Sequence, residues 1–442
     1  MTTSPDFTTL PALDGALVTN EGGCQPYADD FGHIVRALPR AVLRPGSVAD
    51  ILTITRFAAE HGLPLTARGA GHSLHGQSQV ASGIVIDMTT LATIHRVSAD
   101  RVVVDAGALW SRVLDATLSH GLTPPVLTDY LETTVGGTLS AGGIGGMSHR
   151  HGLQVDQIAS CDVVIGDGTM VRCSPEENRA LFDAVRAGHG RCGIMVSATL
   201  ALVPAYAHAR VYRFTYSDLR EFLADQRRLV VERRADYVEG FITPGASNGW
   251  GFVLEAARFT DSVAELDDMG LHGTPDVKDM PYRDFAHRVR LAEDLFRSTG
   301  EWHCPHPWWN AFIPESATPK IVTEALGQLT PADLGGKSGL ILLYPFRTEH
   351  LTAPLLRSPD EPIAYLFAVL PTAAGDSPVS LDRMLDTNLR LYDLIRVHNG
   401  AMYPIGNLPF TTAQWQAHYG PQWETCQRNK IIYDPHGIFG SR

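Results

Sequence analysis

Glycine is concentrated in three short stretches in the first half of the chain, and these stretches limit what the chain can fold into. They run from Gly69 to Gly76, from Gly136 to Gly146 and from Gly188 to Gly193. Short strand-like and helix-like runs separate them, which is typical of an α+β or α/β domain. Because glycine lacks a Cβ, the backbone there can approach a ligand closely or adopt a positive φ. Three such loops in one domain predict a large ligand wrapped by main chain.

The hydrophobic pattern divides the chain into two units. Since 442 residues are too many for one hydrophobic core, we expect two domains. After residue 205 the glycine clusters stop, and aromatic and charged residues become more frequent. The predicted helices lie at 48–61, 110–120, 219–234 and 414–430, and the predicted strands at 84–87, 101–105, 161–165, 195–203, 210–216, 237–242, 252–259, 339–344 and 363–370. The second unit is therefore predicted to be an antiparallel sheet covered by helices.

The charge balance and the cysteine pattern narrow the class of protein. Lys plus Arg is 36 and Asp plus Glu is 48, a formal charge of −12, which argues against nucleic acid and anionic membrane partners. No apolar run reaches the roughly 18 residues that span a bilayer, and residues 1–22 lack the features of a signal peptide. Six scattered cysteines without a CxxC motif are typical of reduced thiols, so we expect a cytoplasmic protein.

The first glycine stretch contains a histidine with little around it in sequence to shield its ring. Gly69-Ala70-Gly71 precedes His72, and Ser73 follows it. Backbone N–H groups of such a loop can form a nest for an anion. One interpretation is a pyrophosphate cradle with a histidine that attacks a cofactor. The other is a tight turn that carries a surface histidine, since a glycine-rich loop is weak evidence by itself.

Asp129 precedes the second glycine stretch and has two interpretations. An aspartate just before a glycine-rich segment can be the N-cap of a helix. It can instead be a base placed at a ligand. The residues alone leave both open.

Two other patterns are excluded or left without support. Gly188 to Gly193 matches G-x-G-x-x-G, but a predicted helix comes before it and a strand after it, which reverses the order of a dinucleotide-binding motif. The histidine pairs at 149/151 and 303/306 have no carboxylate or cysteine at a recognised metal-ligand spacing. We therefore predict neither a Rossmann domain nor a metal site.

Four motifs together carry a family resemblance that covers nearly the whole chain. They are Gly71-His72-Ser73, Thr128-Asp129-Tyr130-Leu131, Val135-Gly136-Gly137-Thr138-Leu139-Ser140 and Pro305-His306-Pro307-Trp308. In this order they resemble the cytokinin dehydrogenase family, within the FAD-linked oxidases that share the vanillyl-alcohol oxidase, or PCMH-type, fold. The resemblance implies a two-domain α+β fold. Residues 1–205, completed by 404–442, would form the FAD-binding domain, and 206–403 the substrate domain.

The resemblance also implies a reaction and the residues that perform it. His72 would be bonded covalently to the 8α-methyl of FAD, and Asp129 would be the base beside flavin N5. The substrate would be an N6-substituted adenine, a cytokinin such as isopentenyladenine or zeatin. Hydride would pass to N5, the imine would hydrolyse to adenine and an aldehyde, and a quinone or dioxygen would accept the electrons. The implied FAD contacts are Ala67, Gly69, Ala70, Gly71, His72, Ser73, Gln77, Asp129, Thr134, Ser140, Ile144 and Ile194.

The chain departs from the plant members at two places. The segment between Glu239 and Glu255 is short, where plant members carry an insertion that contributes a second acid, so that role is not carried over. The chain ends in 438–442, Ile-Phe-Gly-Ser-Arg, instead of a Ser-Pro-Gly-Gln string that contacts the flavin.

The alternative to a cytokinin dehydrogenase is an oxidase with covalent flavin that acts on another amine or alcohol in secondary metabolism. A flavin-binding protein without turnover is a third hypothesis, against which the base at 129 argues.

Overall fold

The computed structural model describes residues 6–245, 249–263, 269–375, 377–406 and 408–440. Its strands are, in chain order, β1 Ala16–Val18, β2 Ala41–Arg44, β3 Leu65–Arg68, β4 Ile84–Asp87, β5 Ile94–Val97, β6 Arg101–Asp105, β7 Leu122–Thr123, β8 Ile158–Val164, β9 Met170–Cys173, β10 Ile194–Ala201, β11 Val203–Pro204, β12 His208–Tyr216, β13 Tyr237–Pro244, β14 Trp250–Thr260, β15 Asp276–Pro281, β16 Trp309–Pro314, β17 Leu340–Arg347, β18 Ile363–Leu370 and β19 Ala401–Met402. Its α-helices are α1 Glu21–Cys24, α2 Val48–His61, α3 Trp110–Leu118, α4 Val135–Leu139, α5 Ser148–His151, α6 Arg179–Val185, α7 Leu219–Val231, α8 Tyr282–Ala286, α9 Arg290–Thr299, α10 Thr318–Gln328, α11 Leu381–Arg396, α12 Thr412–Tyr419 and α13 Trp423–Tyr433.

The first half contains two sheets, and the first of them presents the His72 loop. This sheet has the order β1-β2-β4-β3, in which β4 runs parallel to both β2 and β3. Helix α2 connects β2 to β3 and ends at Gly62, whose φ of +61° favours glycine. The loop begins where β3 ends. The second sheet, β5-β6-β10-β8-β9, is antiparallel throughout.

The second half is built on one eight-stranded antiparallel sheet, in the order β15-β12-β14-β13-β17-β18-β16-β19. One face, with Val238 and Leu254, belongs to the core formed with helices α7, α10 and α11. The other face, with Tyr237, Phe312 and Tyr344, belongs to the core shared with the first half. Burial on both faces explains why β18 is apolar at every position instead of alternating. The predicted antiparallel sheet with covering helices is confirmed.

The end of the chain folds back onto the first half. The helix predicted at 414–430 is wrong as one element, because Gly420, with a φ of +49°, and the following proline separate α12 from α13. After α13 the carboxylate of Asp434 accepts hydrogen bonds from the N–H groups of Ile438 and Phe439, at 3.0 and 2.9 Å. The Ile438 carbonyl then accepts from the N–H of Leu65 on β3 at 2.7 Å. The domain boundaries at 205 and 403 stay predictions.

Two further expectations concern the chain as a whole. Helix α6 precedes the Gly188–Gly193 string and strand β10 follows it, so the exclusion of a Rossmann motif is confirmed. Across the described ranges, no helix is long and apolar enough to cross a lipid bilayer.

Candidate active site

A cavity of about 570 Å³ lies beside the His72 loop, where the two halves of the chain meet. Ala70, Gly71 and His72 line it from the first half. Tyr130, the neighbour of Asp129, also lines it, and Trp302 does so from the second half. The structure therefore brings the loop of the first motif and the segment of the second motif to one cavity.

The His72 loop is held in shape by the segment of residues 30–32. The N–H of Phe31 donates to the Gly71 carbonyl at 2.9 Å, and the N–H of Gly32 donates to the Ser73 carbonyl at 3.0 Å. Asp30 Oδ2 accepts from the Ser73 hydroxyl at 2.9 Å and from the N–H of Gly76 at 2.7 Å. Gly71 has a φ of +71°, which favours glycine there. These bonds fix the carbonyl groups on both sides of His72.

The imidazole of His72 is half-buried between two rings. It stacks on Phe31 at 4.1 Å and on Tyr130 at 4.7 Å between ring centroids. Burial lowers the pKa of His72 to about 3, with smaller contributions from His306 and Arg297. Among the described residues, neither ring nitrogen has a hydrogen-bond partner. The turn predicted by the surface-histidine interpretation is present, but the ring is a neutral, half-buried imidazole that lines a cavity rather than a solvated surface group.

The loop and its neighbours fit a dinucleotide cofactor. Within the described ranges, the backbone N–H groups of Ala70, Gly71, His72 and Ser73 have no acceptor in the protein. Four successive free N–H donors suit an anion such as a pyrophosphate. A Cβ on Gly69 would lie 2.0 Å from Thr134 Oγ1, so glycine at 69 lets the loop lie against the start of α4.

Of the other predicted FAD contacts, two flank helix α4 and four lie elsewhere in the first half of the chain. Thr134 is the N-cap of α4, and Ser140 follows α4, with its carbonyl accepting from the N–H of His189 at 2.9 Å. This brings the second and third glycine stretches together. Ile144 is buried in the first-half core, Gln77 accepts from the N–H of His75 within its own loop, and Ala67 and Ile194 lie in strands opposite Ile86 and Val164. No described hydrogen bond or ring contact joins Ile194 to the His72 loop.

Asp129 lies in a polar cluster where the second-half sheet meets the first half. Its Oδ1 accepts hydrogen bonds from the Tyr237 hydroxyl at 3.1 Å and from Arg288 Nη2 at 2.5 Å. Arg288 also donates to the Tyr237 hydroxyl. Its guanidinium lies 4.0 Å from Glu239 Oε2 and 3.5 Å from Glu255 Oε1. The helix-cap interpretation of Asp129 is wrong, because α4 begins after Thr134, which caps it.

Sheet register places the two glutamates next to each other. Glu239 on β13 is directly opposite Glu255 on β14, and Arg213 on β12 is opposite Glu255 on its other side. Two ionised carboxylates facing each other across a strand pair would repel. The Arg213 guanidinium, 2.7 Å from Glu255 Oε2, and Arg288 offset that repulsion. A second acid, Glu239, therefore stands beside Asp129 in this chain, while the expectation that the role of the plant insertion is not carried over stays a prediction.

The buried acid Glu239 favours its neutral form. Burial, and next the Asp129 carboxylate, raise the pKa of Glu239 well above its usual range, although Arg288 opposes this. Its Oε1 atom is buried and has no hydrogen-bond partner. Burial also raises the pKa of Tyr237, so its hydroxyl keeps its proton and donates a hydrogen bond to Asp129. Within this cluster Asp129 is thus the partly accessible carboxylate, with 28% of its side chain exposed, and it accepts from the neutral Tyr237 hydroxyl and from the charged Arg288 guanidinium.

The comparisons with known proteins agree with this geometry. Residues 39–174 match the family model of the FAD binding domain, and 270–441 match the model described as cytokinin dehydrogenase 1, FAD and cytokinin binding. The chain is 37% identical over 461 residues to cytokinin dehydrogenase 4 of Oryza sativa subsp. japonica, which covers 93% of this chain and 86% of that one. The chain belongs to the cytokinin dehydrogenase family. It is an FAD-linked oxidoreductase, as the sequence predicts.

One further relative and one solved structure are similar to this chain. An uncharacterized oxidoreductase, ORF5 in the fasciation locus of Rhodococcoides fascians, is 40% identical over 433 residues and covers 96% of this chain and 98% of its own. The crystal structure of 6-hydroxy-D-nicotine oxidase from Arthrobacter nicotinovorans superposes with a TM-score of 0.76, at 19% identity and 98% coverage of both chains. The second similarity shows the shared fold alone, and it confirms the predicted two-domain α+β architecture.

Glu239→Gln should make the stability of the protein less sensitive to pH. The pKa of Glu239 is raised in the folded state, so between its unfolded pKa of about 4.3 and its folded value the folded chain holds an extra proton. The free energy of unfolding therefore falls as the pH rises through this range, by at most about 1.4 kcal/mol per pH unit for one proton. Urea unfolding between about pH 5 and pH 8 measures the slope.

The matched control is Glu324→Gln, since Glu324 is exposed on α10 and pairs only loosely with Lys320, at 3.9 Å. The control should keep the slope of the unchanged protein. Equal slopes for Glu239→Gln and the unchanged protein would contradict a proton on Glu239.

Proposed function

We propose that this oxidoreductase acts on the side-chain amine of N6-substituted adenines and holds its FAD covalently through His72. Membership of the cytokinin dehydrogenase family supports the substrate class. The observation that carries the proposal is the Asp129 cluster: one accessible carboxylate is held by a tyrosine and an arginine, and the next residue, Tyr130, lines the cavity. A protein that only bound FAD would need no such group.

Asp129 is the proposed base. Its carboxylate takes the proton from the N–H of the substrate side chain, and a base has to lie within about 3 Å of that proton's nitrogen. Tyr237 and Arg288 both bind Oδ1, so they fix the direction of the carboxylate. Neutral Glu239 adds no further negative charge beside the base. The oxidised substrate is an imine, which hydrolyses in water to adenine and an aldehyde.

FAD, when bound, supplies the hydride acceptor, and this chain supplies orientation and electrostatics. Orientation is worth up to about 7–11 kcal/mol of barrier when both reacting groups are held in place. Tyr130 connects the two functional side chains, because it follows Asp129 in the chain and stacks on His72 at 4.7 Å. The base and the attachment residue are therefore held by one segment. A quinone or dioxygen is the proposed final electron acceptor.

His72 is the proposed attachment residue. Its pKa of about 3 leaves the imidazole neutral at physiological pH, so one ring nitrogen carries a free lone pair. That nitrogen has no hydrogen-bond partner among the described residues.

Six free cysteines fit the predicted cytoplasmic location, where thiols stay reduced.

A dye-reduction assay tests the substrate class. The purified holoenzyme is mixed with isopentenyladenine and dichlorophenolindophenol, and bleaching of the dye is followed. Prompt bleaching is expected with isopentenyladenine. Bleaching only with other amines or with alcohols would favour the alternative oxidase, and no bleaching with any donor would favour a flavin-binding protein without turnover.

Asp129→Asn should keep bound FAD and lose at least about 10²-fold in kcat, because the amide is isosteric but is no base. Stopped-flow reduction of the bound flavin by isopentenyladenine measures the step directly. Asp167→Asn, in the exposed turn between β8 and β9, is the control and should react like the unchanged enzyme. A turnover close to normal in Asp129→Asn would remove Asp129 as the base.

Intact mass of the denatured protein tests the attachment. We expect an excess of about one FAD, and acid precipitation should leave the yellow colour in the pellet. His72→Ala should lose this excess, whereas His95→Ala, an exposed histidine paired with Asp105, should keep it. Flavin released entirely into the supernatant by the unchanged protein would refute covalent attachment.

A further inference from the structure

Four aromatic rings form one continuous column through the His72 loop. Tyr130 stacks on His72 at 4.7 Å, His72 on Phe31 at 4.1 Å, and Phe31 on His306 at 4.2 Å between centroids. The planes of Phe31 and His306 differ by 14°. Three members come from the first half of the chain, and His306 comes from the second half. The wall behind the attachment residue is therefore completed by the other half of the protein.

Hydrogen bonds to main-chain carbonyl groups run along the same path. Phe31 and Gly32 donate to the Gly71 and Ser73 carbonyls, which flank His72. On the other side, His306 Nδ1 donates to the Phe31 carbonyl at 3.0 Å, and the N–H of His306 donates to the Gly32 carbonyl at 2.9 Å. Residues 31–32 thus connect His306 to both flanks of His72. Every bond of this path is in the described part of the chain.

The His306 segment is itself fixed by the second half. Asn388 on α11 donates from Nδ2 to the Pro307 carbonyl at 2.8 Å, and strand β16 begins two residues later. His306 is buried, with 3% of its surface exposed. Burial lowers its pKa to about 4, so its ring is neutral and its Nδ1 carries the hydrogen that it donates to Phe31. A rigid helix and strand therefore support the column from behind.

We propose that His306 is a positioning residue for the covalent attachment of FAD to His72. This inference rests on the proposed attachment. In that step one His72 ring nitrogen forms a bond to the 8α-carbon of FAD, and a C–H bond of the 8α-methyl breaks. The methyl and the imidazole together lose two protons and two electrons. Dioxygen takes them and leaves as hydrogen peroxide, so atoms and electrons balance.

The reason is geometric. Because no residue that the structure describes forms a hydrogen bond with the His72 ring, the direction of the ring depends on the rings at its two faces. Reacting atoms have to be held about 3–3.5 Å apart and aligned, and a misplacement of about 1 Å can cost 10²-fold in rate. Without His306 the Phe31 ring loses one stacking partner and its carbonyl loses its donor. His72 would then turn away from the carbon that it has to attack.

The test uses the full chain as purified and measures how much of its bound FAD is covalent. His306→Leu should retain non-covalent FAD but lower the covalent fraction at least about fivefold, because leucine neither stacks nor donates. His306→Asn keeps an amide donor for the Phe31 carbonyl and should recover part of the covalent fraction. His61→Leu is the matched control, since this exposed histidine stacks on Phe57 at 4.2 Å, as His306 does on Phe31, but does not line the cavity. Acid precipitation and intact mass give the fraction, and the thermal midpoint reports folding.

Each outcome decides something. An unchanged covalent fraction in His306→Leu overturns the inference while the attachment itself stands. An equal loss in His306→Asn and His306→Leu overturns the role of the hydrogen bond to Phe31. No covalent FAD in the unchanged protein overturns the proposed attachment and this inference with it. If His306→Leu does not fold, Phe31→Leu replaces it: it keeps every backbone bond and removes only the ring, so a normal covalent fraction there overturns the column.

Discussion

The site depends on the close packing of the eight-stranded sheet against the backbone of the first half at Gly146. The N–H of Val238 donates to the Gly146 carbonyl at 3.0 Å, and a Cβ on Gly146 would lie 2.4 Å from Tyr237 Cε2. Only glycine permits this approach. Both faces of the sheet are packed in apolar cores, one against the first half of the chain and the other against helices. Any displacement of the sheet from the first half would therefore expose apolar surface to water. Asp129 belongs to one half and its partners to the other, so their meeting follows from this contact.

The cluster around Asp129 is costly in the place where the fold puts it. Removing charges from water costs several kcal/mol for each ion unless partners compensate, so buried ion pairs are weak evidence for stability. Here Arg288 faces Asp129, Glu239 and Glu255 at the edge of an apolar interface. Raised pKa values at Glu239 and Tyr237, next to an accessible carboxylate, are typical of functional sites. The physical reading therefore favours this cluster as the reactive part of the proposed site.

Charge organises one end of the site and stacked rings organise the other. Around Asp129, hydrogen bonds and an ion pair set the direction of a carboxylate. Around His72, by contrast, the described part of the chain offers the ring nitrogens no hydrogen-bond partner, and Phe31 and Tyr130 set the direction of the imidazole by stacking. This division suits the two proposed roles, because a base needs its proton acceptor fixed whereas a nucleophile needs its lone pair unoccupied.

The sequence by itself determined several of the elements and the two key motifs. Local periodicity was sufficient for α2, β4, β6 and β18, whose bounds match the predicted ones, and for the loops at His72 and Asp129. It failed at 414–430, where Gly420 breaks the helix. Had the ends of the predicted strands 237–242 and 252–259 been paired across their short loop, Glu239 would have fallen opposite Glu255, as it does.

Only the tertiary structure decided that Arg288 meets Asp129 and that His306 supports the His72 loop. These partners lie 159 and more than 230 residues apart in the chain. A periodic pattern tells which face of a strand is buried, but not what is packed against that face. The identity of the partner comes from the docking of the sheet on the first half, and that docking is a property of the assembled surfaces rather than of any local segment.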